Sequence, residues 1–187
     1  MKDINLFFEK FFNKNIQLSE KFIKSLLFEI INKNKKVLIF GMGYDSLLWY
    51  KANNCKNIFF IEDNDNYIKL NHKIKKKCVV KYNYRNVSVR ESLQNKINPS
   101  IYNLPKKIEK NKPFDLILID GPQGYSEKSY GREIPYYWSR HKLMHEKTKI
   151  YLDDINRPLE FHLLKKYFLD FQMKYFAERE GSACVFL

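Results

Sequence analysis

The chain has 187 residues, of which 44% are hydrophobic and 29% charged. That is enough for one domain with a proper core, and it excludes collagen-like, mucin-like and wholly disordered chains. The 34 Lys and Arg against 21 Asp and Glu give a formal charge of +13 and a pI of ≈ 9.5. Such a balance suits a polyanion (nucleic acid, acidic polysaccharide or anionic membrane) without choosing among them, and a solvated lysine surface would produce it as well.

Part of the excess is compositional, because richness in Lys, Asn and Ile is what an A/T-rich genome, such as that of some parasites and large viruses, encodes. Three scattered cysteines, Cys55, Cys78 and Cys184, form no C-x-x-C pair. They argue against a disulfide framework and a zinc site, and for a reducing compartment. Cys78 and Cys184 sit in apolar runs and read as small core residues. The segment from Met1 to Phe12 is broken by Asp3, Glu9 and Lys10, unlike a signal-peptide core. No apolar run approaches the ~20 residues that span a bilayer. A cytoplasmic protein is expected.

In chain order, residues 16–33 place Leu18, Phe22, Ile23, Leu26, Leu27, Ile30 and Ile31 at helical spacing, with Ser19 as the cap. Residues 1–35 thus form an N-terminal helical region, ahead of a core at 36–187 in a single domain. Strands are predicted at 37–40, 58–61, 78–82, 116–119 and 149–152, all short apolar runs. Helices are predicted at 46–52, 65–77, 134–147 and 159–169. Residues 85–112, broken by Pro99 and Pro105, read as loop with one or two short helices. The end of the chain, 174–179 and 182–187, reads as a hairpin around Gly181. Strands alternating with helices predict a mostly parallel sheet with helices on both faces. The last two strands have no helix between them, so one must run antiparallel.

In such sheets ligands bind at the carboxyl ends of the strands, near the switch in strand order. The special residues of this chain all fall there. Gly41 and Gly43 follow the first strand, Glu62 and Asp63 the second, Asp120 the fourth, and Asp153 and Asp154 the fifth. Glu62 lies 19 residues beyond Gly43, the place of an acid that holds a ribose diol. Together these indicate an adenosine-containing ligand, NAD or S-adenosylmethionine. Position 46, where a dinucleotide fingerprint has its third glycine, is a serine, which disfavours the pyrophosphate of NAD. The terminal strand pair resembles the sheet of class I methyltransferases, which favours S-adenosylmethionine.

The stretch Phe40-Gly41-Met42-Gly43-Tyr44-Asp45-Ser46-Leu47-Leu48-Trp49 resembles the glycine motif of the plant glucuronoxylan 4-O-methyltransferases. Phe60-Ile61-Glu62-Asp63, Asp120-Gly121-Pro122-Gln123-Gly124-Tyr125, Gly131-Arg132 and Asp154-Ile155-Asn156-Arg157 resemble further motifs of that family, in the same order. Gly121 stands where the family has alanine, Tyr130 where it has proline, and Asp153 where it often has histidine. The resemblance implies an α/β Rossmann-like class I fold: a seven-stranded, mostly parallel sheet whose last strand is antiparallel. It implies an S-adenosylmethionine-dependent O-methyltransferase acting on a sugar hydroxyl of a polysaccharide or glycan, with a uronic acid as a candidate acceptor. It also implies cofactor contacts from Gly41, Gly43, Asp45, Ser46, Glu62, Asp63 and Asp120.

Such a transfer needs alignment and a group that removes the alcohol proton. Asp120 and Asp154 are the candidate catalytic residues. Asp120, Asp153 and Asp154 also form a hard-oxygen set that suits Mg²⁺ or a similar ion, and whether they bind metal or act without it stays open here. Arg132 and Arg157 offer forks for an acceptor carboxylate, and Tyr125 offers a ring for a sugar or a sulfonium. His141 and His145 lie four apart on a predicted helix and read as ordinary partly buried histidines. Two other functions compete: a nucleic-acid methyltransferase, suggested by the charge, and a non-catalytic polyanion-binding domain with the same fold.

Overall fold

Alternation of side chains along short apolar strands organises the molecule, in a computed structural model that describes residues 2–31, 33–84 and 87–187. Residues 1, 32, 85 and 86, which fall in the predicted N-terminal segment, helix and loop, lie outside the described residues. Strands β1 (Val37–Phe40), β2 (Ile58–Glu62), β3 (Val79–Lys81), β4 (Leu116–Ile119), β5 (Lys149–Asp153), β6 (Gln172–Phe176) and β7 (Ser182–Phe186) form one sheet in the order β3-β2-β1-β4-β5-β7-β6. The first five are parallel. β7 runs antiparallel between β5 and β6. This is the expected sheet, with its antiparallel last strand.

Every residue of β1 and β4 is buried, as central parallel strands require. Leu38, Phe40, Ile117, Ile119, Ile150 and Leu152 point to one face and pack with Tyr136, Trp138 and Phe168. Val37, Ile39, Leu116, Leu118 and Tyr151 point to the other and pack with Phe22, Leu26 and Trp49. The second face is covered by α1 (Lys2–Phe11), α2 (Glu20–Ile30) and α3 (Ser46–Ala52), the first by α7 (Glu133–Trp138) and α8 (Pro158–Phe168). Ser19 caps α2, its Oγ accepting from the Phe22 amide at 3.3 Å. Cys78 and Cys184 are buried thiols, as expected, and Cys55 is half-buried. Among the described residues no helix is long and apolar enough to cross a membrane.

Three helices depart from expectation. α1 is a separate helix inside the predicted N-terminal helical region. The helix predicted over 65–77 is only α4 (Asp65–Leu70), followed by a turn and a 3₁₀ segment at Lys76–Cys78. Asn71 ends it, since its side-chain amide donates to the carbonyls of Tyr67 and Gly43, both at 3.0 Å. The helix predicted over 134–147 is α7 extended by one π turn, Ser139–Leu143. His145 therefore lies beyond the helix and shares no helical face with His141. Its imidazole faces Asp115 at 3.2 Å, and its amide donates to Thr148 Oγ1 at 2.8 Å. The stretch read as loop with short helices contains α5 (Val89–Leu93) and α6 (Lys106–Glu109). Ser88 and Glu91 start α5 with reciprocal capping bonds.

Candidate active-site cleft

The sheet order reverses between β1 and β4, and the chains leaving these strands touch there. Gly41 has φ +99°, and a Cβ on it would lie 2.9 Å from the Asp120 carbonyl carbon and the Gly121 nitrogen. A Cβ on Gly121 would lie 2.5 Å from Gly41 Cα. The glycine at 121 is thus explained by this close backbone approach. The turn after Gly41 is braced from both sides. Gly43 N–H donates to Ser46 Oγ at 2.9 Å, and Trp49 Nε1 donates to the buried Asp45 carboxylate at 2.5 Å.

Glu62 closes β2 beneath that turn. Its Oε2 accepts from Met42 N at 2.5 Å, and its Oε1 from the amides of Asp63 and Asn64 at 3.0 and 2.7 Å. Burial raises its pKa, the amides of Asn64 and Met42 lower it, and neighbouring Asp63 raises it again; the balance lies at about 7.

The ends of β4 and β5 gather carboxylates around one guanidinium. Arg132 is 2% exposed. Its Nε donates to Pro122 O at 3.1 Å, its NH1 to Asp153 O at 3.0 Å and its NH2 to Asp154 Oδ2 at 2.9 Å. Asp120 Oδ1 is 3.7 Å from NH2, and Glu160 Oε1 is 3.6 Å from Nε. Burial pulls the Arg132 pKa down, but Glu160, Asp154 and Asp120 hold it above its ordinary value. Arg157 NH1 reaches the same Asp154 oxygen at 2.9 Å. Asp154 adopts φ +59°, a left-handed conformation that aspartate tolerates better than most residues. Asp153 Oδ1 accepts from Ser182 Oγ at 2.7 Å across the β5–β7 pairing.

Burial raises the Asp120 pKa well above the carboxylate range. Asp153 and Asp45 push the same way, and Arg132 opposes them. Burial likewise raises Asp153, Asp45 and Glu160. One oxygen each from Asp120, Asp153 and Asp154 lies within 4.8 Å of the others, and this oxygen set fits a hard divalent cation.

These groups share a cleft of about 380 Å³ at the strand ends. Of the residues singled out in the sequence, Gly41, Gly43, Asp45, Glu62, Asp120, Tyr125, Arg132, Asp153, Asp154 and Arg157 line it. Ser46 and Asp63 do not; Ser46 braces the glycine turn, and Asp63 follows Glu62 at the end of β2. Arg132, expected to reach for an acceptor, is committed to the protein's own carbonyls and carboxylates. Arg157 and Tyr125 retain exposed surface.

Sequence reasoning missed two walls of the cleft and the acid beneath it. One wall is the segment 15–19 between α1 and α2; the other is the turn 178–180 between β6 and β7. They are tied together by Arg179 NH1 donating to Gln17 O and by Lys21 pairing with Glu178 at 3.1 Å. Tyr67 and Gln123 also line the cleft, joined by a 2.8 Å bond from Gln123 Nε2 to Tyr67 Oη. Glu160 is fully buried, and neither of its oxygens has a hydrogen-bond partner among the described residues. In sequence it is an acid in the first turn of a helix, where any helix favours one, so it carried no signal.

No family model matches the chain. In sequence it is similar to glucuronoxylan 4-O-methyltransferase 3 of Arabidopsis thaliana, 28% identical over 148 residues, covering 66% of this chain and 48% of that protein. Glucuronoxylan 4-O-methyltransferase 1 of the same plant is 26% identical over 161 residues, covering 73% and 56%. The chain spans about half the length of the curated relatives it matches. In structure it is similar to the SAH-bound methyltransferase PaMTH1 of Podospora anserina, with TM-score 0.52, 11% identity, and coverage of 99% of this chain and 86% of that one. It is also similar to the O-methyltransferase TomG of Streptomyces achromogenes, which takes part in tomaymycin synthesis and was solved with SAM, with TM-score 0.54, 12% identity and coverage of 100% and 88%. The architecture is that of the Rossmann-like class I methyltransferases.

Proposed function

We propose that this chain is an S-adenosylmethionine-dependent O-methyltransferase acting on a sugar hydroxyl of a glycan, with a uronic-acid-bearing polysaccharide as its acceptor. The observation that carries this reading is the meeting of the Glu62-braced glycine turn and the Asp120, Asp153 and Asp154 cluster in one cleft. The sequence similarity to glucuronoxylan methyltransferases supports the acceptor class. Residues 36–187 form the catalytic core in this reading, and the N-terminal helical region supplies an acceptor-side wall.

The cofactor supplies a methyl group already activated on sulfur. The chain must align the acceptor oxygen with it and take the hydroxyl proton. Gly41 and Gly43 admit a ligand close to the backbone. Glu62 accepts from the ribose hydroxyls with the lone pairs its three amide donors leave free. As the acceptor oxygen bonds to the methyl carbon and the sulfur–carbon bond breaks, Asp120 takes the proton. Asp154, gripped by Arg132 and Arg157, fixes the position of Arg157, which meets the uronate carboxylate. Tyr125, 73% exposed, stacks on the sugar ring. Asp120, Asp153 and Asp154 are also the residues that would hold a divalent ion, whose charge would acidify a bound hydroxyl.

Transfer of label from S-adenosylmethionine tests the reading, with uronic-acid oligosaccharides, neutral oligosaccharides and RNA as acceptors, each with divalent metal and with chelator. Label is expected on the uronic-acid oligosaccharides, with a loss of roughly 100-fold or more in Asp120→Asn, the scale of a removed general base. Chelator sensitivity would assign the three aspartates to a metal. Label on RNA alone overturns the acceptor class.

A further inference from the structure

A second groove opens beside the cleft, between α2 and the edge strand β6, and takes no part in the chemistry above. It is lined by Lys21, Lys24 and Ser25 of α2, by Lys174 and Phe176 of β6, and by Glu178. Glu178 also lines the cleft, as do Ser19 and Arg179, the immediate neighbours of this rim. The two depressions therefore adjoin at the end of β6. Three lysines face one glutamate, a formal excess of two positive charges.

None of the three cations is tightly committed. Lys21 pairs with Glu178 at 3.1 Å and Lys24 with Glu20 at 2.6 Å, both surface contacts of the kind that contributes about 0–1 kcal/mol and yields to competing anions. Lys174 forms no ion pair among the described residues and lies over the Phe176 ring at 5.3 Å. Lys21 and Lys24, three residues apart, project from one face of α2. β6 ends the sheet, so nothing of the sheet covers Lys174 on its outer side.

We propose that this groove is a second acceptor subsite, which holds a further carboxylate-bearing sugar unit of the same anionic chain whose reacting unit occupies the cleft. Its continuity with the cleft commits it to the acceptor rather than to an unrelated ligand, so it rests on the glycan reading of that cleft. Lysines suit such a subsite, because they are flexible point charges that take a carboxylate without fixed geometry. A chain of spaced carboxylates fits spaced ammonium groups above a small apolar floor. Single-stranded RNA would instead call for a row of free, exposed rings on which bases stack. The groove has two rings: Phe176 is buried, and Tyr175 is half-exposed with its hydroxyl bonded to the Asn156 amide at 3.0 Å. The groove gives the excess of lysine a role: it selects acceptors that carry several acidic units.

The test uses the full chain saturated with S-adenosylhomocysteine. It measures binding of xylo-oligosaccharides with one or with several glucuronic acid branches, beside an RNA oligomer; methyl transfer to the same oligosaccharides is measured separately, with S-adenosylmethionine in place of S-adenosylhomocysteine. Wild type is expected to bind the multiply branched oligosaccharide at least 10-fold more tightly than the singly branched one at low salt. Lys174→Glu, and separately Lys24→Gln, should erase that advantage. Both should leave S-adenosylhomocysteine affinity and the singly branched acceptor unchanged. Transfer to the singly branched acceptor with no gain from further branches overturns the subsite and leaves the reading of the cleft standing. An equal loss on both oligosaccharides also overturns the subsite, as does charge-sensitive binding of RNA alone. Charge-sensitive oligosaccharide binding without transfer to any sugar overturns the glycan reading and the subsite's role with it.

Discussion

Arg132 shows how a residue can be read correctly as important and wrongly as outward-facing. In sequence it follows Gly131 in a loop, where an arginine usually meets solvent or ligand. In the fold it is 2% exposed and joins Pro122, Asp153 and Asp154. Removing one partner of such a buried set leaves charges uncompensated, which costs about 3–5 kcal/mol. Arg132→Met should lower the melting temperature accordingly, and Arg132→Lys should not restore it, since an ammonium cannot reproduce three divergent donors. An unchanged melting curve would exclude this central role.

Glu62 gives two opposite pH effects. Its pKa is raised from 4.5 to about 7 in the folded chain, so the native state holds a proton that the unfolded state releases. Its contribution to the stability of the ligand-free protein is complete below about pH 4.5 and is lost as pH rises through about 7. Ribose hydroxyls bind best to the ionised form, so S-adenosylhomocysteine affinity should rise over the same interval. Calorimetric titration between pH 5.5 and 8.5 checks this, and Glu62→Gln should flatten the profile.

Among the elements, β1, β2 and β4 were legible because four consecutive apolar residues admit few other structures, whereas β6, mostly polar and exposed, lies at Gln172–Phe176 rather than at the expected 174–179. The acidic and glycine ends of β1, β2 and β4 followed from the same pattern. Helix lengths were less legible. Nothing in the 65–77 periodicity shows that the Asn71 amide would turn back to cap Tyr67 and tie Gly43. The close approach of the chain leaving β1 to the chain leaving β4 was foreshadowed by two glycines, but their mutual contact was not. Gly121→Ala sets a methyl against Gly41 Cα and should cost about 1–3 kcal/mol, the usual scale of overpacking. Chemical denaturation measures it, and a neutral result would mean the two turns can separate.

At the scale of the molecule, the sequence identifies the sheet and the residues at its strand ends, since both are local patterns. It does not identify what lies opposite them. Residues 15–19 and 178–180 meet at the rim of the cleft although more than 150 positions separate them, and Glu160 is buried by tertiary packing alone. Such pairings are set by the path of the chain. That path has a further consequence in the placing of β7. It sits between β5 and β6 yet is synthesised after both, so the order in which strands are made differs from the order in which they lie. Until residues 182–186 have been made, β5 is an open edge, β6 has no partner to dock on, and Asp153 lacks its serine. An open apolar edge invites pairing with other chains. The nascent protein is therefore exposed to aggregation until its last strand closes the gap, and the acid cluster is completed in that same late step.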